Sequence, residues 1–201
     1  MASLYFRHGA MGCGKTRNLM KEWYDYYEHD QDTLIIKPAR DTRGNDHVES
    51  RDGSTRSVDY LIKNGDNIYK IICNHIINHN LDCVLVDEAQ FLSREHVEQL
   101  TDVVDLLDIS VICFGLRADF QDNLFPGSAA LFALADVIEG MDRKCECGNK
   151  ATRNVRYENG ILTIEGNQVA IDGENNTTYK AMCRSCRKKL VKKINRERFI
   201  K

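Results

Sequence analysis

The segment Gly9-Ala10-Met11-Gly12-Cys13-Gly14-Lys15-Thr16 fits G-x-x-x-x-G-K-[ST] at every position. It constrains the fold more than any other feature, because such a loop works only with a strand running in and a helix running out. Both flanks agree. SLYFR at 3–7 reads as a short strand. TRNLMKEWYDYYE reads as a helix with Leu19, Trp23, Tyr26 and Tyr27 toward one side. The glycines let successive backbone N–H groups turn toward a phosphate, and the helix N-terminus adds its positive end. Lys15 is placed to reach outer phosphates and Thr16 to ligate magnesium.

A nucleotide site needs an acid at the end of a buried strand. CVLVD at 83–87 supplies it, with Asp87 as the magnesium-side carboxylate and Glu88 immediately beyond. Neighbouring extended residues point to opposite sides, so the two acids can serve different partners. Further strands are expected at 33–38 (TLIIKP) and 110–115 (SVICFG). Helices are expected at 67–80, at 94–107 with Ser93 as N-cap, and at 128–135. Residues 39–57 read as a polar loop. Apolar strands alternating with helices predict an α/β fold with a mainly parallel sheet covered on both faces.

The pattern changes near 141. Apolar runs thin out, and NVRYE-NG-ILTIE at 154–165 alternates around Asn159-Gly160, a strong hairpin signal. The expected division is a P-loop domain over 1–140, a small second domain over 141–190 and a basic tail over 191–201.

Apolar residues make up 42% and charged residues 29%, the balance of a globular protein, and the net charge of −2 argues against a whole-molecule binder of nucleic acid or membrane. No apolar run approaches the roughly 20 residues that span a bilayer, and no signal-peptide layout is visible, so a cytoplasmic location is expected. In that reducing compartment the eight cysteines are not expected to form disulfides. Four of them form two close pairs, Cys145 with Cys147 and Cys183 with Cys186. Four thiolates so arranged suit tetrahedral zinc with no open position, a structural site. His75 and His79 at i, i+4 lack a third ligand and read as a surface pair. The stretch RKKLVKKINRERFIK carries eight basic residues and one acid, and reads as a solvated tail or helix. Cys13, beside Lys15 and a helix N-terminus, is expected to be a reactive thiol.

GAMGCGKT, KPARDTR at 37–43, VDEAQF at 86–91, GLRADFQDNLF at 115–125 and CEC…CRSC occur in this order. Together they resemble the thymidine kinases of the cytosolic, zinc-containing type, over roughly residues 3–190. The resemblance implies a RecA-like P-loop domain with a small zinc-binding lasso domain. It also implies transfer of the γ-phosphoryl group of ATP to the 5′-hydroxyl of thymidine, with deoxyuridine also accepted. A homotetramer inhibited by thymidine triphosphate (dTTP) is implied, with no nucleic-acid or membrane partner.

Carried over position by position, the resemblance implies Glu88 as the general base. ATP and its magnesium fall to Gly9 through Thr16, Asp41, Arg43, Asp87 and Gln90. Met11, Phe91, Leu116, Phe120 and Phe125 match residues lining the base site. Gln168, Val169, Ala170, Ile171 and Asp172 match the lasso backbone that reads the base edge, and Tyr179 the tyrosine that closes over the nucleoside. The chain departs from the pattern in its C-x-C first pair and in the longer ENNTT stretch before Tyr179. Competing readings are a kinase of another deoxynucleoside, a zinc-ribbon P-loop ATPase acting on nucleic acid, and a nucleotide binder without catalysis.

Overall fold

The structure, a computed structural model, describes residues 1–39, 46–50, 53–168 and 176–199, with side chains described to 194. The chain divides into two units. The first comprises Met1–His8, Gly14–Leu116 and Phe125–Gly140. The second comprises Gly9–Cys13, Arg117–Leu124 and Met141–Lys201, so it draws two segments from the first 140 residues.

The first unit runs β1 (Leu4–Gly9), α1 (Lys15–Glu28), β2 (Thr33–Pro38), β3 (His47–Glu49), β4 (Thr55–Ser57), β5 (Tyr60–Ile62) and α2 (Ile68–Ile76). It continues with β6 (Cys83–Val86), a 3-10 turn at Ala89–Phe91, α3 (Arg94–Leu107), β7 (Ser110–Leu116), α4 (Pro126–Leu134) and β8 (Val137–Gly140). Six strands form one sheet in the order β5-β2-β6-β7-β1-β8. Pairing is parallel between β1 and β8, β2 and β5, β2 and β6, and β6 and β7. Every residue of β6 is buried, as a strand covered on both faces requires. The expected α/β fold with a mainly parallel sheet is therefore present.

Helix ends follow local chemistry. Ser93 accepts from the His96 N–H at 3.1 Å, and the His96 ring accepts from the Ser93 N–H, closing a capping box. Asn67 caps α2 by accepting from the Lys70 N–H at 2.8 Å. That helix stops at Ile76, short of the expected residue 80, and Ile77 lies 74% exposed. In α1 only Lys15 and Leu19 are buried; Trp23 and Tyr27 stack on each other instead of joining the core. The region expected as loop contains β3 and β4, paired as a hairpin. These strands, like β5, have three residues each, too few to register as a period. The four-residue edge strand β8 was not expected from the sequence either, because three of its four residues are exposed.

One close approach fixes the floor of the carboxylate turn. A Cβ at Gly127 would lie 2.2 Å from the Ala89 carbonyl oxygen and 2.9 Å from that of Leu92. Gly127→Ala is expected to destabilise the protein by about 1–3 kcal/mol, measured by urea unfolding, because α4 must back away from backbone that cannot yield.

The second unit runs β9 (Arg153–Glu158), β10 (Ile161–Thr163), β11 (Thr177–Met182) and α5 (Arg184–Phe199). Its sheet has the order β10-β9-β11, all antiparallel. Asn159 and Gly160 both have positive φ, 51° and 76°, as the expected tight hairpin demands.

Candidate functional site

The phosphate loop ends where α1 begins. Gly14 is left-handed at φ 86°, and Lys15 follows at 8% exposure in the first helical turn. Burial of a lysine beside a helix N-terminus is costly without an anion to meet it.

In the same unit, Asp87 lies just past β6 and is 3% exposed. Its Oδ1 is buried and has no hydrogen-bond partner. Burial pushes its carboxyl up to about 7, the neighbouring Glu88 charge adds to this, and Lys37 and Lys15 oppose it. A buried acid with an orphaned oxygen suits a hard divalent cation.

Glu88 adopts a left-handed backbone, φ 49° and ψ 37°, uncommon for a residue with a Cβ. Such strain persists only where neighbours over-determine it. Gln90 is that neighbour. Its side-chain N–H donates to Glu88 Oε2 at 2.5 Å, and its Oε1 accepts from the Leu116 N–H at 2.9 Å. The Gln90 amide is 1% exposed, with both ends occupied. Gly115 leaves it room, since a Cβ there would sit 3.1 Å from Gln90 Oε1. Gln90, assigned from the resemblance to ATP, thus directs its side chain to Glu88 and β7. Phe91 meets Phe125 edge-on, with ring centroids 5.6 Å apart. Leu116 accepts at its carbonyl from the Ser128 hydroxyl at 2.6 Å. Gly14, Lys15, Thr16, Asp87, Glu88, Gln90, Phe91, Leu116 and Phe125 all belong to the first unit.

The second unit holds the remaining described candidates. The sulfur atoms of Cys145, Cys147, Cys183 and Cys186 all lie within 4.8 Å of one another, with Cys147 and Cys183 at 3.6 Å. Tetrahedral zinc at 2.3 Å from each sulfur requires sulfurs about 3.8 Å apart. The four residues fit that ion. The backbone N–H of Asn149, with hydrogen bonds from the other thiols, holds the Cys147 thiol down at about 6, while hydrogen bonding to the Cys147 and Cys183 sulfurs pushes Cys186 up to about 12.

The loop Arg117–Leu124 is shaped by Asp119, whose Oδ1 accepts from the N–H groups of Gln121 and Asn123. Arg187 Nη2 donates to the Phe120 carbonyl at 2.6 Å, and both Arg187 and Arg153 pair with Asp122. Phe120 presents its ring to the Arg156 guanidinium, 3.8 Å away. Arg156 sits opposite Tyr179 in the β9–β11 register, so the two share a face. It also donates to the carbonyls of Asn167 and Glu165. Gln168 donates to the Leu124 carbonyl at 3.3 Å. Met11 donates its N–H to Asn154 Oδ1 at 2.8 Å. Cys13 is half-buried. Asp41, Arg43, Val169, Ala170, Ile171 and Asp172 lie outside the described residues.

Sequence reading missed Asn154 and Arg156. They alternate along the polar face of a hairpin strand, which ordinarily faces water. Here Asn154, Val155 and Arg156 are all buried, so both faces of β9 are covered.

A family model described as thymidine kinase matches residues 2–187. The chain belongs to the thymidine kinase family. A thymidine kinase of Rhodopirellula baltica is 45% identical over 187 residues, covering 92% of this chain and 87% of its own. One from Shewanella oneidensis is 44% identical over 186 residues, covering 92% and 95%. One from Mannheimia succiniciproducens is 42% identical over 186 residues, covering 92% and 94%. Two solved structures are loose likenesses. A DNA replication initiation factor has a TM-score of 0.38 at 12% identity, covering 70% of this chain and 40% of its own. A Bacteroides Pif1 bound to ssDNA has 0.37 at 11%, covering 70% and 38%. As a thymidine kinase family member the chain is an enzyme of the kinase class. Among its described residues no helix is long and apolar enough to cross a membrane.

Proposed function

We propose that this enzyme transfers the γ-phosphoryl group of ATP to the 5′-hydroxyl of thymidine, giving ADP and thymidine monophosphate. The observation that carries the mechanism is Glu88, strained and tethered beside a buried Asp87 in a chain with an intact phosphate loop. Phosphoryl transfer through a loose transition state needs positioning and positive charge more than covalent help.

Gly9 through Thr16 hold the ATP phosphates with backbone N–H groups, and Lys15 offsets charge on the transferring group. Thr16 and Asp87 are the residues to hold magnesium, which when bound spreads the negative charge of the phosphates. Glu88 accepts the proton of the 5′-hydroxyl as that oxygen attacks the γ-phosphorus, and ADP leaves. Asp41 and Arg43 belong near the phosphates on this reading. Met11, Phe91, Leu116, Phe120 and Phe125 contribute the base pocket, where a methionine and flat rings suit a methyl-bearing pyrimidine. Residues 168–172 read its edge, and Tyr179 closes over it. Residues 141–190 act as the zinc-held lasso and 191–201 as a basic tail, beside the kinase domain of 1–140. Deoxyuridine as a second substrate, a homotetramer, dTTP inhibition and a cytoplasmic location complete the reading, with no nucleic-acid or membrane partner.

ADP release assayed with a panel of nucleosides tests it. Release that requires thymidine is expected. Release driven by another deoxynucleoside, or by DNA or RNA, contradicts it. Gln90→Leu is expected to lower kcat by about 10–100-fold, the worth of a hydrogen bond to a charged group, while the KM for thymidine and the Kd for ATP stay within about twofold. Steady-state kinetics with calorimetry separates the two effects.

A further inference from the structure

The first half of the phosphate loop, Gly9–Cys13, packs within the same unit as the four cysteines. Ala10 is 5% exposed and lies in one apolar cluster with Cys145, Cys183, Ala151 and Ala181. Two of those neighbours are themselves zinc-ligand candidates. Asn154 is 4% exposed and has both ends of its amide committed to backbone. Its Oδ1 accepts from the Met11 N–H at 2.8 Å, and its Nδ2 donates to the Ala118 carbonyl at 2.9 Å. Arg143 donates to the Gly12 carbonyl.

Both side chains are anchored close to the metal cluster. The Arg143 carbonyl accepts from the Ala151 N–H at 2.7 Å, across the turn that carries Cys145 and Cys147. Within that turn the Cys145 N–H donates to the Asn149 carbonyl and the Gly148 N–H to the Cys145 carbonyl. Asn154 faces Ala181 in the β9–β11 register, two residues before Cys183. A phosphate loop binds through the directions of its N–H groups, so whatever fixes Met11 and Gly12 fixes part of the nucleotide cradle. The zinc-ligand cysteines and the phosphate loop are thus joined by a small apolar cluster and by hydrogen bonds of the buried Asn154 and of Arg143.

We propose that Asn154 and Arg143 are positioning residues for the phosphate loop, and that zinc held by the four cysteines tightens ATP binding through them. The inference rests on the phosphate loop as an ATP cradle and not on thymidine as acceptor. Its readout is ATP affinity, so a chain that binds ATP without phosphorylating thymidine would defeat the proposed function and leave this coupling standing.

The test is calorimetric titration of the full chain with ATP and magnesium, before and after zinc is removed by a chromogenic chelator. Removal is expected to weaken ATP about tenfold, and by reciprocity bound ATP strengthens zinc retention against the chelator by the same factor. Asn154→Leu, with zinc content unchanged, is expected to weaken ATP about tenfold and to shrink the zinc effect to about twofold, the signature of a shared pathway. Arg143→Met should weaken ATP about threefold. Should the zinc-free chain or the Asn154 variant not fold, the zinc-loaded Arg143→Met variant and the ATP effect on zinc retention decide. An ATP affinity and a zinc retention that each ignore the other site overturn the proposal, as does an Arg143→Met variant with the parent's affinity.

Discussion

Glu88→Gln is expected to lower kcat by about a thousandfold or more while leaving the Kd for ATP within about threefold. General-base assistance contributes about 10²–10⁴ to rate, and glutamine keeps the size of the side chain while removing its basicity. The structure makes this substitution a clean probe. Residue 88 already sits in a left-handed conformation, and Gln90 already holds it from one side at 2.5 Å, so an amide there can be kept in place by a turned Gln90. Asp87 remains beside Lys37 and Lys15, and the nucleotide side is unaltered. Single-turnover phosphorylation with calorimetric ATP binding checks both halves. Loss of both together would make Glu88 a binding residue, and an unchanged kcat would remove it from the chemistry.

The second large effect is loss of zinc. Structural zinc in small modules contributes about 10–16 kcal/mol of binding free energy, which is folding free energy for the part it holds. Here that part is small: a three-stranded sheet and a minor apolar cluster that includes two of the cysteines themselves. Removing zinc, or replacing Cys183 by Ser, is therefore expected to melt β9–β11 while the six-stranded sheet persists. Limited proteolysis should open cleavage sites after residue 141, and the KM for thymidine should rise about tenfold or more if this unit closes over the nucleoside as proposed, because its ordering must then be supplied by the substrate. A protease-resistant chain with parental KM after verified zinc loss contradicts the structural role.

How far the sequence carried the account depended on which physical signal each residue left. The phosphate loop, β6 and the paired cysteines are local patterns: a run of glycines, four consecutive apolar residues, two short spacings. Each was legible because the property that folds it is the property that spells it. The fold class followed from the same apolar strands. The short strands β3, β4 and β5 were not legible, because three residues complete no period. Gln90 was read through the resemblance as a nucleotide contact, and its tie to Glu88 becomes visible only when β7 lies alongside. Asn154, Arg143 and Arg156 carry no local signature. The partners of Asn154 and Arg143 are backbone groups on segments distant in sequence, 143 residues away for Asn154 and Met11. Arg156 is the sharpest instance, a charged residue on an alternating hairpin that ends up 2% exposed over the ring of Phe120.

On the proposed mechanism Glu88, held by Gln90, is the base for the 5′-hydroxyl. That role is tested most directly by a crystal structure of the enzyme with thymidine and a non-hydrolysable ATP analogue. The account predicts a Glu88 carboxylate oxygen about 2.6–3.2 Å from the 5′-oxygen, with the Gln90 contact retained. A Glu88 turned away from that oxygen, with another side chain in hydrogen-bond reach of it, would contradict the account.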